Sequence, residues 1–590
     1  MKTFKLKNFL SAIALSVIFT SVLTAETIPV SIGNSEKFLP ASEKSMNGNI
    51  QDGILICWID ETNNGTLFIQ KLNKFGKHEW KENGLTIEDN LGSGFISDSD
   101  YPSVFSDNNG GAVIIYRKVF AESEKIYSSK VTADGSINEA VCLSSFYGGY
   151  NFSPRSVYTS DNCISVVWEN FTDGNFNIHA QKLNLDGIKL WNGGKEVIVC
   201  GEPGDERKPT VISDGNSNLI FTWLDSRNSN QQNEFGLDLY ANKLDADGRY
   251  TEYGNSGKLI LSYGKSLTEQ KSFHKSQDMK FGKGKGPGKI QKITFYNHNL
   301  ILSDNNSVIA AADIWHLDED SFLKIIKFDE DLEIVWENKV QEESFQYNPL
   351  IISDGKYGAC VIWNDGRNNE NGIFGIMYDK HGNQIAGNKN GIKFSFDDNK
   401  DNLMRLLPDR NNNNGLSFHN NRISVPWVTS SADNLYLASF DLLVSFPFKC
   451  DPLKISNNVL LGKCISVNYL NEKPVTIFLK DNTVYADMNL TVKSSDNMLN
   501  ENLSLSNFPN PFNPVTKISY EIPSELKGSN NVSVKIFDLT GKEVAVLVNE
   551  TQIAGKYEVV FNGNNLASGT YITKIKVKEF TQVRKIILMK

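Results

Sequence analysis

The sequence predicts an all-β chain: a seven- or eight-bladed β-propeller followed by a small immunoglobulin-like β-sandwich. Three observations lead there. Blocks of four short runs of period 2 recur through the middle of the 590 residues, and that period marks a half-buried strand. The second run of most blocks closes on an aromatic residue: Trp58, Tyr116, Trp168, Trp223, Trp315, Trp363 or Trp427. Turns rich in Asn, Asp and Gly separate the runs and supply the positive φ angles of tight hairpins. No 3.6-residue periodicity appears, which excludes helical solenoids.

The clearest blocks contain GILICWID, YPSVFSDNNGG, SPRSVYTSDNC, KPTVISDGNSN and NPLIISDGKYG, and fainter copies bring the number to eight. The four runs are named A to D in chain order. Four antiparallel strands every ~40–60 residues make one blade, and radial packing of blades leaves few open edges. The last copy, near 457–493, has no D run. Residues 28–32 are expected to supply it, as a clasp that opposes opening of the ring. In such a meander the A–B and C–D turns share one face, and the B–C and D–A loops share the other. The short turns here are all A–B and C–D. The long loops are B–C (225–237 and 365–372) and D–A (90–100, 263–290 and 397–408). They gather on one face, the expected interaction surface.

The ends differ from the middle. Residues 1–25 read as a secretory signal peptide, with Lys2, Lys5 and Lys7 ahead of an apolar run over 9–23 and a cut expected between Ala25 and Glu26. The run is short for a membrane anchor. Without those three lysines the net charge moves from −9 to −12. Residues 507–590 hold 11 basic and 7 acidic side chains, net +4, which leaves −16 on the body between. An acidic body argues against nucleic-acid binding. The polar stretch 494–507 reads as a linker between a propeller over 26–493 and a tail over 508–590. In the tail, Pro509, Pro511 and Pro514 are expected to fix an extended leading segment. Alternating strands follow, with Gly541, Gly555, Gly563 and Gly569 at the turns.

The tail carries FPNPFNP, then VKIFDLTGKEVAVLVNE, then AGKYEVVFNGNNLASGTYITKIKV, and ends in RKIILMK. It closely resembles the type A C-terminal sorting domain of the type IX secretion system. The resemblance implies carriage through an outer-membrane translocon and removal by a sortase-like cysteine protease, with the cargo released or attached to surface lipopolysaccharide. It also implies that Asn510, Pro511 and Phe512 form the leading motif and that Asp538, Gly541 and Glu543 form the central hairpin. Gly569 and Tyr571 then belong to the next strand and Lys585 to the terminal one.

Other motifs are weighed against plain structural roles. Trp-x-Asp-x-Arg occurs twice, at Trp223, Asp225, Arg227 and at Trp363, Asp365, Arg367. These Asp and Arg residues are candidate ligand contacts on the loop face. Recurrence with the fold favours an Asp–Arg pair bracing the loop above a buried Trp. The segment 263–292 clusters Lys283, Lys285 and Lys289 among glycines, without a Walker pattern. It is a candidate site for anionic glycan or lipopolysaccharide, though a solvated insertion is the plainer reading. Asp245, Asp247 and Gly248 lack the remaining ligands of a calcium loop and read as a hairpin turn. His78–Glu79 lacks the second His of a zincin. Cys57, Cys163 and Cys360 fall in B runs as small apolar groups. Cys450 and Cys464 flank a short connection and are candidates to pair. No metal site and no cofactor is expected from these spacings.

These readings favour a secreted or outer-membrane-surface protein with a binding, adhesive or structural role, reaching the surface through the periplasm. Its candidate ligands are a surface glycan, lipopolysaccharide or another protein. The alternative is a propeller hydrolase acting on polysaccharide or peptide, for which no catalytic set stands out.

Overall fold

The computed structural model describes residues 27–31, 35–47, 50–92, 102–144, 149–228, 237–262, 298–316, 319–340, 346–367, 372–386, 389–393, 404–406, 417–419, 422–429, 434–441, 453–456, 466–470, 473–488, 504–522, 529–538, 542–577 and 580–590. Among these residues the strands form ten antiparallel sheets, and eight of the sheets lie in 27–487. Sheets one to seven occupy 37–88, 103–142, 150–200, 206–261, 298–339, 346–393 and 404–456. The eighth takes three strands from 466–487, and its fourth is Thr27–Pro29. Ile28 stands opposite Ala486. Val30 then donates 2.7 Å to the Val484 carbonyl, and Ser31 Oγ accepts from Val484 N at 2.9 Å. The expected clasp therefore forms one residue ahead of its anticipated start.

Alternation explains why the B strands are apolar throughout. Ile54, Ile56 and Trp58 pack on the eighth sheet, against residues such as Val475 and Ala486. Leu55, Cys57 and Ile59 point the other way and pack on the second sheet, against Val104 and Ile114. Each strand thus buries both faces between neighbours, as radial packing demands. The pattern repeats around the chain, with one apolar cluster in each successive interface. The cluster between the eighth and first sheets closes the circle. The arrangement is all-β and propeller-like.

The B-strand aromatics sit at equivalent positions. Trp58, Tyr116, Trp223, Trp363 and Trp427 each stack on the C-strand aromatic opposite, with ring centroids 5.6–6.3 Å apart. Gly257 and Gly391 approach two of these indoles with φ of +67° and +77°. A Cβ at either would lie 2.3 Å from the ring, so only glycine fits.

Polar ties on the short-turn face are equally regular. Lys71, Lys130 and Lys182, all nearly buried on C strands, pair at 2.6–2.8 Å with Asp52 at the start of its own sheet's B strand and with Asp107 and Asp161 in the A–B turns of their own sheets. The same ammonium groups donate to Gly110, Leu185 and Ala246 carbonyls of the next sheet. Lys327 repeats this between Asp304 and the Lys380 carbonyl. Trp80, Trp191 and Trp336 each donate their indole N–H to a turn carbonyl of the next sheet at 3.0–3.1 Å. Asp245 Oδ1 accepts from the Asp247 and Arg249 amides, and Gly248 lies under Trp191, so this segment is the hairpin turn its sequence suggested.

The inner A strands break register at proline. The slips between Phe152 and Arg155, Arg207 and Thr210, and Tyr347 and Leu350 each leave a residue before Pro at positive φ: Ser153, Lys208 and Asn348. A carboxylate of the preceding sheet caps two of these bulges. Glu169 Oε1 accepts from Lys208 N at 2.7 Å, and Asp313 Oδ2 from Asn348 N at 2.9 Å.

The tail has a sheet of three strands and a sheet of four that share one core, including Phe512, Ile518, Ile575 and Ile586. Two expectations change here. Residues 504–507, read as linker, belong to the strand Ser504–Phe508, which pairs with Val515–Ile522. The proline segment that follows is bent, not extended, and it seats on the last strand Phe580–Leu588. Phe512 N donates to Ile587 O and Met589 N to Phe512 O, both at 2.9 Å. Burying Phe512 in the shared core is what folds the segment back.

Candidate functional site

In the fourth sheet the B strand Leu219–Asp225 ends on the motif aspartate. Trp223 Nε1 donates to Asp225 Oδ2 at 2.8 Å. Arg227 answers with its backbone N and Nε on Oδ1, both at 2.9 Å, and Nη2 on Oδ2 at 2.6 Å. Its guanidinium lies 4.2 Å from the Tyr240 ring centre. The sixth sheet repeats this. Asp365 takes Trp363 Nε1 at 2.9 Å and Arg367 N and Nε at 2.9 and 3.0 Å, and Arg367 covers Phe374. Both aspartates are wholly buried. The motif is a brace: a bidentate ion pair that fixes the first residues of the B–C loop and satisfies a buried indole N–H.

The neighbouring D–A loop meets the B–C loop at this end. Asp205 N donates to Ser226 Oγ at 2.7 Å, and a Cβ on Gly204 would come 3.0 Å from Arg227 N. The two loop types therefore share a face here, as strand parity requires.

Under the first brace lies a group that sequence reasoning did not single out. Cys200, Glu206 and Asp225 bring one donor atom each to within 4.8 Å of one another, and all three residues are buried. Arg227 Nη2 also donates to Cys200 Sγ at 3.1 Å. Burial, then the Asp225 charge, pushes the Glu206 carboxyl up to about 9. Burial and Glu206 push the Cys200 thiol up to about 12. Among the described residues this is the cluster with the donor set for a metal ion.

A second feature of the same face is aromatic. Tyr150 and Phe120 stand 40% and 41% exposed. Tyr150 stacks on Phe152, which meets Phe176, and Arg207 lies 3.7 Å over the Phe176 ring while its Nε holds Glu169 at 2.8 Å. Arg117 reaches Phe152 from the second sheet, 5.8 Å from the ring centre. The rings come from B-strand ends, C-strand starts and A-strand starts of sheets two and three, so they crown the B–C/D–A face. The sequence signal was available in YNF, NFTDGNF and KVF at block ends, but aromatic residues at strand ends look the same whether they are buried or exposed.

Nearer the inner strands, His298 Nε2 lies 2.9 Å from Thr222 Oγ1. Burial, then the cations of Lys208 and Arg155, lowers its pKa to about 4. In the tail, the leading motif and the terminal strand come together. Asn510 Oδ1 accepts from Ile587 N at 2.9 Å, and its Nδ2 donates to the Lys585 carbonyl at 3.2 Å. Asp538 Oδ1 accepts from Lys542 N at 3.0 Å, and Glu543 pairs with Lys535 at 2.9 Å. Tyr571 is buried and donates to the Ala567 carbonyl, and Gly569 opens the same strand. Pro511 lies in the bent segment. Ala25, Glu26, Lys283, Lys285, Lys289, Cys450, Cys464 and Gly541 lie outside the described residues.

Residues 506–589 match the family model described as the secretion system C-terminal sorting domain. The tail is a type IX secretion sorting domain, and it marks the chain for export to the cell surface or secretion. No curated protein matches the chain. Among solved structures, a polysaccharide lyase described as an ulvanlyase is 9% identical, with 71% of this chain and 96% of that one covered and a TM-score of 0.43. A Trypanosoma rangeli sialidase with the inhibitor DANA is 11% identical, with 77% and 86% covered and a TM-score of 0.31. An alpha-L-arabinofuranosidase from Fusarium graminearum with an iminosugar inhibitor is 9% identical, with 60% and 97% covered and a TM-score of 0.32. These likenesses bear on neither site nor activity.

Proposed function

We propose that this chain is a glycan-binding protein of the cell surface, delivered by its sorting tail. In this reading residues 1–25 are a cleaved signal peptide and 27–487 an eight-bladed propeller. Residues 504–590 are an immunoglobulin-like sandwich recognised by the translocon and trimmed by the sortase-like protease. Asn510, Phe512 and Lys585 serve sorting by shaping the contact between the leading segment and the last strand. The observation that carries the binding role is the aromatic–arginine crown on the long-loop face. Tyr150 stacked on Phe152, Phe176 under Arg207 and the half-exposed Phe120 tilted against Tyr127 offer large, rigid contact area at little entropic cost, the composition of binding hot spots. The motif residues Asp225, Arg227, Asp365 and Arg367 support this face as braces.

A glycan array probed with the full chain tests the reading. Binding to at least one class of surface polysaccharide is expected, with a loss of ~10-fold or more in Tyr150→Ala and Phe120→Ala, since truncating a hot-spot ring costs about 2 kcal/mol or more. A flat array, or binding indifferent to both substitutions, would refute it. Capture of a protein alone would redirect the crown to a protein ligand.

A further inference from the structure

The fourth and sixth sheets carry the same brace but differ at two positions beneath it. Glu206 stands opposite Asp225 in the A–B ladder, and Gln346 stands opposite Asp365. On the outer strand of the preceding sheet, Cys200 pairs with Ile178, and Val340 donates its N–H to the equivalent Leu323 carbonyl. The sixth-sheet brace is complete with a valine and an amide there, and Gln346 Oε1 accepts from Leu323 N at 3.0 Å. The thiol and the acid of the fourth sheet are therefore not required by the brace. Glu206 is wholly buried, and neither of its carboxyl oxygens has a hydrogen-bond partner among the described residues. One of them faces the space it shares with Cys200 Sγ and the Asp225 carboxylate.

We propose that Cys200, Glu206 and Asp225 bind a divalent cation of the zinc type, cross-linking the third and fourth sheets. One thiolate and two carboxylates suit zinc, whereas magnesium and calcium prefer all-oxygen sites. Three anionic donors, the Arg227 cation and an M²⁺ ion sum to zero, so the loaded site buries no net charge. With Zn–S ~2.3 Å and Zn–O ~2.1 Å, tetrahedral donors lie about 3.5 Å apart. The three donors, now within 4.8 Å, close by at most about 1.3 Å on loading. Arg227 keeps the Asp225 carboxylate oriented through Nε, as an outer-shell partner does. Three protein donors leave a fourth position for water.

The test uses the full chain stripped with a chelator and titrated with Zn²⁺ against a chromogenic competitor, with Co²⁺ as a spectroscopic probe. One ion per chain is expected, with a rise in melting temperature and a thiolate-to-cobalt charge-transfer band. Cys200→Val is expected to abolish the band, and Glu206→Gln to weaken zinc by more than ~100-fold, beyond typical outer-shell losses. These substitutions install the sixth sheet's own side chains, so the double variant should fold, and its metal-free melting temperature checks that. No binding by the wild type overturns the proposal. So does unchanged stoichiometry in the folded double variant, which would place the ion on other cysteines.

Discussion

Asp365 illustrates how much one carboxylate holds in this ring. It is wholly buried and accepts from the Trp363 indole and from three donors of Arg367. Asp365→Ala removes the carboxylate partner of a nearly buried guanidinium and the acceptor of a buried indole N–H. The expected loss is about 3–5 kcal/mol in denaturant unfolding, the usual cost of breaking a buried pair from one side. A loss under 1 kcal/mol would show that the brace is dispensable. His298 makes the pH counterpart. Its folded pKa, about 4, lies below the ordinary 6.5, so the native chain keeps the imidazole neutral. Stability from this group is complete above about 6.5. It falls as the unfolded chain takes up the proton, and levels off once pH drops below about 4. Unfolding midpoints at pH 7 and pH 5 should therefore differ, and His298→Gln should shrink that difference. An undiminished difference would exclude the histidine as the cause. At this scale legibility is uneven. The Asp–Arg brace can be read because it recurs with the block. Glu206 cannot, because a carboxylate at a strand start looks the same whether it faces water or a sulfur atom.

Between elements, the ring is held by apolar clusters and by lysine and indole ties that repeat from sheet to sheet. The QKL and SKV runs record the lysines, yet their partners lie far away: Lys182 reaches Asp161 in its own sheet and the Ala246 carbonyl in the next. Lys182→Met should cost about 1–3 kcal/mol, the penalty of leaving a carbonyl unmatched, read from chemical denaturation. No change would mean that water replaces the ammonium. The N-terminal strand is the second inter-element device. Val30 is fully buried among eighth- and first-sheet residues, so Thr27–Pro29 does more than lengthen a sheet edge. Deleting 27–31 from the exported chain should strip hydrogen-exchange protection from the amides of 483–487 and lower the melting temperature. Retained protection there would show that the ring closes without its clasp.

For the whole molecule, two programmes share one chain: an acidic ring with its long loops on one face, and a basic tail that directs export. Deleting 504–590 should leave the ring in the periplasm, as cell fractionation would show. Surface display of the truncated chain would contradict a sorting role for the tail.

The blocks, their strand period, the turn chemistry and the sorting motif were determined by the sequence alone, because each is a pattern of neighbours along the chain. Strand parity also follows from order, which is why the loop face and the N-terminal clasp could be anticipated. The tertiary structure decided which side chains meet across sheets. Cys200, Glu206 and Asp225 come from two adjacent sheets, and Tyr150, Phe176 and Arg207 from two as well. It also turned the proline segment back on the last strand, since burying Phe512 in the core outweighs the extended preference of its prolines. Contacts of this kind depend on how far each sheet rotates against the next, and that angle is set by the packing of whole interfaces.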